Sequence, residues 1–553
     1  MAGKMGRLLA RKDIWFVLAA AALLAAGTVR RRALSQPPVV TGDSREYLAM
    51  GRSLRATKIL AFEPVAAYAG RAPMYPVLLA AAADSADGVN PERAQRVQAA
   101  LALLLAAAAG ALALCLHSPA AGALAAAAAG FHPDLAKASG WVGIELLFGL
   151  CLTAVAWALA RDAARRDERS AAAVALAIGA SLWCRSTLIF LPPLLCALAL
   201  REPKRGRRPW ILLFLPYLIL APWTFRNAVR LGAFVPVERQ AGVYNLFVAS
   251  QGKLAGMGDE KSQAIAEKVV PGWSDMDSVQ REAALYRTAE RAVLASPVRY
   301  ALGTVRRAWL LWGPHWLLLL AAAWALYRLR GPEFGALGGL WLYLNVHALM
   351  GIDARYAWPA LPFLCALAAC GAADLFAAAI SPAERVRRLS RLPAAWLAGP
   401  LALAALSAAA LASESAAERA ARVPTAPASC PEAESRLGPW RLLGDAKRAQ
   451  DRGVILYLRG DARGSADCFR AALALEPRYA AARLGAGTAL AALGDGPGAL
   501  AQYDAAVGVL EDLDERGDLM LAAYQSRASA LRALRREDEA RRDDDAAKRL
   551  LSE

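Results

Sequence analysis

Long apolar runs, rich in Ala and Leu, alternate along the chain with short clusters of Arg and Lys. An α-helix of roughly 17 to 25 apolar residues crosses a bilayer core about 30 Å thick. Eleven stretches fit this pattern, several of them short, near residues 13–29, 96–116, 119–133, 142–160, 170–184, 187–200, 210–224, 307–327, 335–350, 357–380 and 394–412. The pattern predicts an all-α, polytopic membrane protein with about eleven transmembrane helices.

The distribution of positive charge predicts the orientation of these spans, because short cytoplasmic loops collect Lys and Arg. With the basic N-terminus inside, all four basic loops fall on the cytoplasmic side, and these are Arg161 to Arg169, Lys204 to Arg208, Arg328 to Arg330 and Arg385 to Arg391. The outer face then carries two large loops, 30–95 and 225–306, and everything after about 412. The run from Arg30 to Arg32 falls on the outer side and is not explained by this rule.

Two local patterns refine this topology. The first apolar stretch is expected to be a retained span, although Ala25 and Ala26 are also small enough for signal-peptide cleavage. In the second outer loop, Ala283, Tyr286, Ala289 and Val293 recur at helical spacing. This spacing predicts an amphipathic helix that leads back into the membrane.

A period of 34 residues appears after about residue 440, where the composition becomes that of a soluble domain. Matching positions are Gly453 and Gly487, Gly460 and Gly494, and Phe469 and Tyr503. Small residues that let paired helices approach, with an aromatic between them, resemble the tetratricopeptide repeat. The predicted domains are a transmembrane domain over 1–412, a linker over 413–439, and helical repeats over 440–553 that end in a degenerate third copy. The repeats either bind a protein partner or pack on the membrane domain.

The net charge of +17 does not indicate nucleic-acid binding, because the basic residues are divided among short interhelical clusters. Six of the eight cysteines lie in or beside apolar segments, where a free thiol behaves as a small hydrophobe. Cys430 and Cys468 are the pair placed to form a disulfide. Common nucleotide, metalloprotease and serine-hydrolase motifs are missing, and there are only four histidines. We therefore expect chemistry based on carboxylates and arginines, not on a histidine-centred metal site.

Acidic residues stand at two positions near the outer face. On a helix that begins at Asp43, the side chains of Glu46 and Tyr47 share a face with it. Asp43 is also a plausible helix N-cap, which is the structural alternative. Glu145 lies a few residues inside the fourth span, where an ionisable group is a functional candidate unless it is a paired structural acid. Asp134, in the same outer loop, is expected to be a solvated loop charge.

Arginines reach the same face at the ends of three spans, namely Arg185, Arg226 and Arg355. Each alone is explained as an anchor at the lipid headgroups. Together, their planar guanidinium groups are suited to the oxygens of a lipid-linked phosphate.

These motifs resemble the GT-C membrane glycosyltransferases, and within them family 39, the protein mannosyltransferase and aminoarabinose transferase-like group. The resemblance covers residues 10–380 and is carried by Asp43 and Tyr47, Arg-x-Pro-x-Tyr-Pro at 71–76, Glu145, Pro-Trp-Thr-x-Arg-Asn at 222–227 and Arg-Tyr-x-x-Pro-x-x-Pro at 355–362. It implies an inverting transferase with a polyprenyl-phosphate sugar donor and with Asp43 and Glu145 as catalytic residues. Implied substrate-binding residues are Glu46, Tyr47, Arg71, Tyr75, Arg185, Arg226, Arg355 and Tyr356.

The chain departs from many relatives at Ser44, where they carry a second acid. A divalent cation is therefore only one option for the cofactor, and its ligands are unknown. The acceptor, whether glycan, lipid or protein, is not specified by the sequence. We expect the transfer to occur at the outer face of a bacterial inner membrane, with the repeat domain in the periplasm. Two alternatives are a transporter or flippase for a lipid-linked sugar, and a non-catalytic envelope assembly protein that uses its repeats.

Overall fold

The structure is a computed structural model, and it describes residues 12–34, 38–39, 42–58, 60, 70–85, 88–203, 206–231, 234–238, 241–254, 259–273, 276, 278–375, 381–391, 398–399, 401–409, 445–458, 460–512 and 518–552. The membrane part contains α1 (Lys12–Ala33), α2 (Gly42–Thr57), α3 (Met74–Ala82), α4 (Pro91–Leu116), α5 (Pro119–Phe131), α6 (Pro133–Ser139), α7 (Glu145–Arg165), α8 (Glu168–Leu182), α9 (Leu191–Ala199), α10 (Arg208–Leu231), α11 (Ala241–Ser250), α12 (Asp259–Val269), α13 (Ser278–Ala295), α14 (Pro297–Trp312), α15 (Trp316–Leu329), α16 (Pro332–Leu344), α17 (Leu361–Asp374) and α18 (Pro382–Arg391). Short 3₁₀ helices lie at Ser186–Leu188, Gly313–His315, Asn345–Leu349 and Ala354–Ala360.

Within the described residues the all-α prediction is confirmed, apart from a hairpin of two-residue strands, β1 (Asp84–Ser85) and β2 (Gly88–Val89). In the same part of the chain, six helices are long and apolar enough to span a bilayer, and two shorter ones are apolar. One of the six covers Pro297–Leu329 and so begins earlier than the predicted span 307–327. The count of eleven spans and their orientation stay predictions.

The central helices pack closely because small residues face each other. A Cβ on Gly110 of α4 would lie 3.0 Å from the carbonyl oxygen of Gly122 in α5, and a Cβ on Gly122 would lie 3.1 Å from that of Gly110. Membrane helices commonly use such small residues to bring their backbones together. Local signals start these helices: Asn90 caps α4 and Ser118 caps α5, each followed by a proline at the first helical position.

The unexplained Arg30 has a structural role at the end of α1. Its side chain is buried, and Nη1 donates to the carbonyl oxygen of Gly130 at 2.7 Å and to that of Ala26 at 3.3 Å. Gly130 lies in the last turn of α5, where unpaired carbonyl groups attract a cation. Arg30 therefore ties α1 to α5.

A backbone bridge holds the segment between α1 and α2 against the residues that precede α7. Val39 pairs with Trp141 in parallel, through Val39 N–H to Gly140 O (2.9 Å) and Val142 N–H to Val39 O (3.2 Å). α2 begins three residues after Val39, and α7 begins four residues after Trp141. The bridge thus places Asp43 and Glu145, far apart in the chain, at the same end of the helix bundle.

The described part of 225–306 has a buried core of its own, and the predicted helix is present there as α13. The segment from α11 to α13 holds a buried cluster of Phe247, Val248, Ala266, Val270, Trp273, Ala284, Leu285 and Ala289. On α13 the packed face includes Ala289, whereas the predicted Tyr286 is exposed. α13 ends at Ala295, and the candidate span Pro297–Leu329 begins two residues later. The relation of α13 to the membrane surface stays a prediction.

The C-terminal part consists of α19 (Asp445–Leu458), α20 (Ala462–Leu475), α21 (Ala480–Ala492), α22 (Gly496–Asp512), α23 (Asp518–Ala533) and α24 (Glu537–Ser552). The same contact repeats 34 residues apart: Cβ atoms on Gly453 and Gly487 would lie 2.9 Å and 2.5 Å from the rings of Phe469 and Tyr503. Gly460 and Gly494 both have positive φ in the turns that follow α19 and α21. The repeat assignment and the domain boundaries stay predictions, and the linker 413–439 lies outside the described residues.

The cysteines differ between the two parts. The six in the membrane part are free and buried. Cys468 is disulfide-bonded, and Cys430 lies outside the described residues.

Candidate functional site

Asp43, in the first turn of α2, is held between two arginines from distant parts of the chain. Arg71 Nη2 lies 2.5 Å from Oδ1, and Arg355 Nη1 lies 2.6 Å from Oδ2. Arg71 also contacts Glu46 one turn further along α2, with its Nε 2.7 Å from Oε2. The side chain of Asp43 is 27% exposed and both arginines are 18% exposed. Solvent and small ligands can therefore reach these ion pairs.

Glu145, the first residue of α7, lies beside the same pairs. Its Oε1 is 3.7 Å from Arg355 Nη1, so this one nitrogen lies between two carboxylates. Glu145 is almost completely buried, and its place in the first turn of a helix favours a negative charge. The neighbouring Gly143 leaves room for it, because a Cβ there would be 2.3 Å from Glu145 Oε2.

Aromatic rings and a buried amide lie beneath the ion pairs. Arg71 lies over the Tyr47 ring at 5.6 Å, and Tyr47 packs edge-on against Tyr75 at 5.0 Å. Gln98 of α4 donates to the Tyr75 hydroxyl at 2.6 Å and to the carbonyl oxygen of Gly143. Tyr75 has no exposed surface in this structure. It supports Tyr47, and a direct contact with substrate would require it to become exposed.

Arg185 and Tyr356 form the neighbouring part of the site. Arg185 lies over the Tyr356 ring at 5.2 Å, and the Tyr356 ring also packs near His347 at 5.4 Å. Glu238 follows α10 and accepts hydrogen bonds from the backbone and hydroxyl of Ser186, at 3.2 and 2.9 Å. Sequence reasoning missed Glu238, since it stands in the loop after α10 without a motif around it.

Arg226 occupies a different place from the other predicted arginines. Its Nη2 donates to the Leu60 carbonyl oxygen at 3.0 Å, and its guanidinium lies 4.8 Å from the Trp223 ring centroid. Nearby, Asn227 donates to Val235 O and Thr224 to Pro236 O. These contacts join Arg226 to Leu60, beyond the end of α2, and to Trp223 of its own helix, whereas Asn227 and Thr224 hold the loop that follows α10.

The charges of the site shift the pKa values of its groups. Burial raises the pKa of the Asp43 carboxyl, but the charges of Arg71 and Arg355 outweigh it, so that this pKa lies below its ordinary value. Burial lowers the pKa of Arg185, but Glu238, Tyr356 and Glu145 together raise this pKa by more than burial lowers it, so that it lies above the ordinary value. Burial raises the pKa of the Tyr47 hydroxyl. Near neutral pH, Asp43 is ionised, Arg185 is charged and Tyr47 is protonated.

A second group of polar side chains lies at the ends of α5 and α14. His132, Asp134 and His315 come together with their potential ligand atoms within 4.8 Å of one another. The sequence did not predict that these two histidines lie together, or that Asp134, expected to be a solvated loop charge, lies beside them. Asp134 is 34% exposed and lies 3.7 Å from His315 Nε2. The two histidines are far apart in the sequence, so no local spacing could have revealed the group.

Comparison with known proteins finds similar folds but no sequence relatives. No family model and no curated sequence matches the chain. Two crystal structures of ArnT from Cupriavidus metallidurans are similar: the complex with undecaprenyl phosphate has a TM-score of 0.41 and 15% identity over 89% of this chain and 80% of that one. For the apo state the values are 0.42, 15%, 93% and 77%. The Archaeoglobus fulgidus oligosaccharyltransferase in the apo form has a TM-score of 0.40 and 14% identity over 71% of this chain.

The present chain spans only 56% of that oligosaccharyltransferase.

Proposed function

We propose that this protein is an inverting membrane glycosyltransferase that moves a sugar from a polyprenyl-phosphate donor to an acceptor hydroxyl. The observation that supports it most strongly is the position of Asp43, between Arg71 and Arg355 and beside Glu145, at a solvent-accessible end of the helix bundle. A carboxylate and two guanidinium groups are what the reaction requires: a proton acceptor for the nucleophile and cations for the departing phosphate.

In the proposed reaction, the acceptor oxygen forms a bond to the anomeric carbon while the bond from that carbon to the phosphate oxygen breaks. The acceptor proton passes to Asp43, and the phosphate leaves as an anion near Arg355 and Arg185. The sugar configuration inverts because attack and departure occur on opposite sides.

The ion pairs of the unliganded site make Asp43 a poor proton acceptor. A carboxylate whose pKa is lowered by two arginines is a weak base. We infer that the donor phosphate draws Arg355 away from Asp43, because a phosphate offers the guanidinium a stronger, bidentate partner. Loss of that ion pair raises the pKa of Asp43 and frees Oδ2 for the acceptor. Donor binding would thereby activate the base only when a sugar is present.

The location of this reaction follows from the charge pattern of the loops. In the predicted topology, all four basic loops lie on the side opposite to Asp43, and basic loops mark the cytoplasmic side. We therefore place the reaction at the outer face of a bacterial inner membrane. The C-terminal helices then lie outside the cytoplasm, where a helical-repeat surface is available to a protein partner.

The test is a transfer assay with the purified full-length protein in lipid nanodiscs. Polyprenyl-phosphate sugars are supplied with a panel of glycan, lipid and peptide acceptors, and the free polyprenyl phosphate is measured together with the glycosylated product. Asp43→Asn should reduce turnover about 10²–10⁴-fold, the usual contribution of a general base. Arg355→Gln should reduce it about 10²–10³-fold, as loss of one charge-stabilising donor does elsewhere.

Arg328→Gln serves as the matched control, since its exposed pair with Asp374 lies outside the site. It should keep the wild-type rate. Release of polyprenyl phosphate by the wild-type protein and by Asp43→Asn at the same rate would remove Asp43 from the mechanism. Movement of the intact lipid-linked sugar across the bilayer, without release of phosphate, would instead identify a flippase.

A further inference from the structure

The group formed by His132, Asp134 and His315 has the composition of a metal site. His132 follows α5, Asp134 lies in the first turn of α6, and His315 lies in the turn between α14 and α15. The ring centroids of the two histidines are 5.3 Å apart, and the rings are tilted by 46°. Three separate helix ends thus bring two imidazoles and one carboxylate to one point.

We propose that these three residues bind a divalent transition-metal ion of the zinc class. Imidazole nitrogens suit Zn²⁺ and similar transition-metal ions, whereas Mg²⁺ and Ca²⁺ prefer ligand sets made of oxygen atoms. Three protein ligands leave a fourth tetrahedral position for water. This site is separate from the ion pairs of Asp43 and does not depend on the proposed transferase activity.

The distances are close to those that such an ion needs. Tetrahedral Zn²⁺ with bonds of about 2.0–2.1 Å holds neighbouring ligand atoms about 3.3 Å apart. His315 Nε2 and Asp134 Oδ2 are already 3.7 Å apart, and all three ligand atoms lie within 4.8 Å. The largest gap to close is therefore about 1.5 Å.

Metal binding would disrupt one hydrogen bond at the start of α6. His132 Nδ1 accepts a hydrogen bond from the Asp134 N–H at 3.2 Å, which caps the short helix α6. An ion bound at Nδ1 displaces this hydrogen bond directly. An ion bound at Nε2 moves the ring proton to Nδ1, which then no longer accepts the hydrogen bond that caps α6. In exchange, the ion cross-links the start of α6 to the turn before α15. The ion would therefore stabilise the contact between two parts of the bundle that are distant in sequence.

The test measures metal binding directly. The full-length protein, purified with an affinity tag that lacks histidine, is stripped with a chelator and titrated with Co²⁺ and with Zn²⁺. The expected results are the visible absorption of tetrahedral Co²⁺, about one zinc per chain by elemental analysis, and a thermal unfolding temperature that rises with zinc concentration. His315→Ala and Asp134→Asn should each weaken zinc binding by more than the roughly 10–100-fold that loss of a supporting partner costs.

His117→Ala is the matched control, because His117 is a buried histidine that contacts Ser118 and not this group. It should bind zinc as the wild type does. Asp134→Asn keeps the test decisive if His315→Ala does not fold, since Asp134 is partly exposed. Equal zinc binding by the wild type and Asp134→Asn, or no saturable binding by the wild type, would overturn the proposal whether or not the protein transfers sugars.

Discussion

The two ends of α7 carry ion pairs of the same residue types arranged in different ways. Glu145 begins the helix, and Asp162 lies seventeen residues later, about 25 Å along its axis. Asp162 accepts two hydrogen bonds from Arg208, at 3.1 and 2.6 Å, and one from Ser170 at 2.8 Å. The Asp162 and Arg208 side chains are less than a tenth exposed. This pair is closed, because a single arginine meets both carboxylate oxygens.

At the opposite end of α7, the two oxygens of one carboxylate contact two different arginines. Asp43 gives one oxygen to Arg71 and the other to Arg355, whose Nη1 lies between Asp43 and Glu145. Each arginine has a further acidic partner, Glu46 or Asp353. A closed, bidentate pair stabilises one structure, whereas a shared and partly exposed network allows partners to be exchanged. Exchange of partners is what a site that binds an anion and then releases it requires.

The largest expected effect concerns stability at the closed end. Asp162→Ala removes a buried acceptor of three hydrogen bonds, two from Arg208 and one from Ser170, and should cost up to about 3–5 kcal/mol, as loss of one partner of a buried pair does, although Arg208 keeps Glu202. Asp43→Ala should cost much less, because the Asp43 pairs are partly exposed to solvent. Thermal unfolding of both purified variants measures the difference. Equal losses of stability would mean that the two ends do not differ in the way proposed.

Sequence patterns predicted the contacts that depend on local spacing. Asp43 and Glu46 share a face of α2 and meet the same arginine, and the 34-residue register places Gly453 against Phe469 and Gly487 against Tyr503. A helix or a repeat fixes such relations through its own geometry. The order of the predicted spans also placed Arg355 at the same end of the helices as Asp43, which it contacts.

Contacts that depend on tertiary packing were not predictable in this way. Arg226 stands beside a motif that resembles the family pattern, yet it donates to Leu60 O, a partner that no spacing indicates. Arg30 does not fit the rule that Lys and Arg collect in cytoplasmic loops, and its guanidinium donates instead to a carbonyl group at the end of a neighbouring helix. His132 and His315 meet only because α5 and α14 end at the same level of the bundle. Each case needs the relative position of two elements, which one sequence does not contain.

A smaller effect is expected from crowding Glu145 without removing it. Gly143→Ala places a Cβ 2.3 Å from Glu145 Oε2 and 3.1 Å from Trp141 Cδ1, so the flexible carboxylate must leave its present position beside Arg355 Nη1. Turnover in the transfer assay should fall by at most about 10²-fold, the cost of misplacing a catalytic group by about 1 Å. Gly339→Ala is the control, since a Cβ there has open space around it. If Gly143→Ala keeps the wild-type rate, the position of Glu145 is not critical.

The smallest effect is a shift in the pH dependence of the shared network. Asp43 must be ionised to accept a proton, and in the free enzyme Arg71 and Arg355 hold its pKa below the ordinary value against the effect of burial. The wild-type kcat/KM, which reports the free enzyme, should therefore persist as the pH falls toward that lowered pKa. Arg71→Gln removes one of the two cations, so burial counts for more and the pKa of Asp43 rises. The acidic limb of the rate profile should then move to higher pH, whereas Arg328→Gln should leave it in place. The same linkage applies to stability: the contribution of Asp43 is present above its unfolded-state pKa and is lost as the pH falls through the lower folded-state pKa, and it should be smaller in Arg71→Gln. An acidic limb that stays fixed in Arg71→Gln would show that a group other than Asp43 takes the proton.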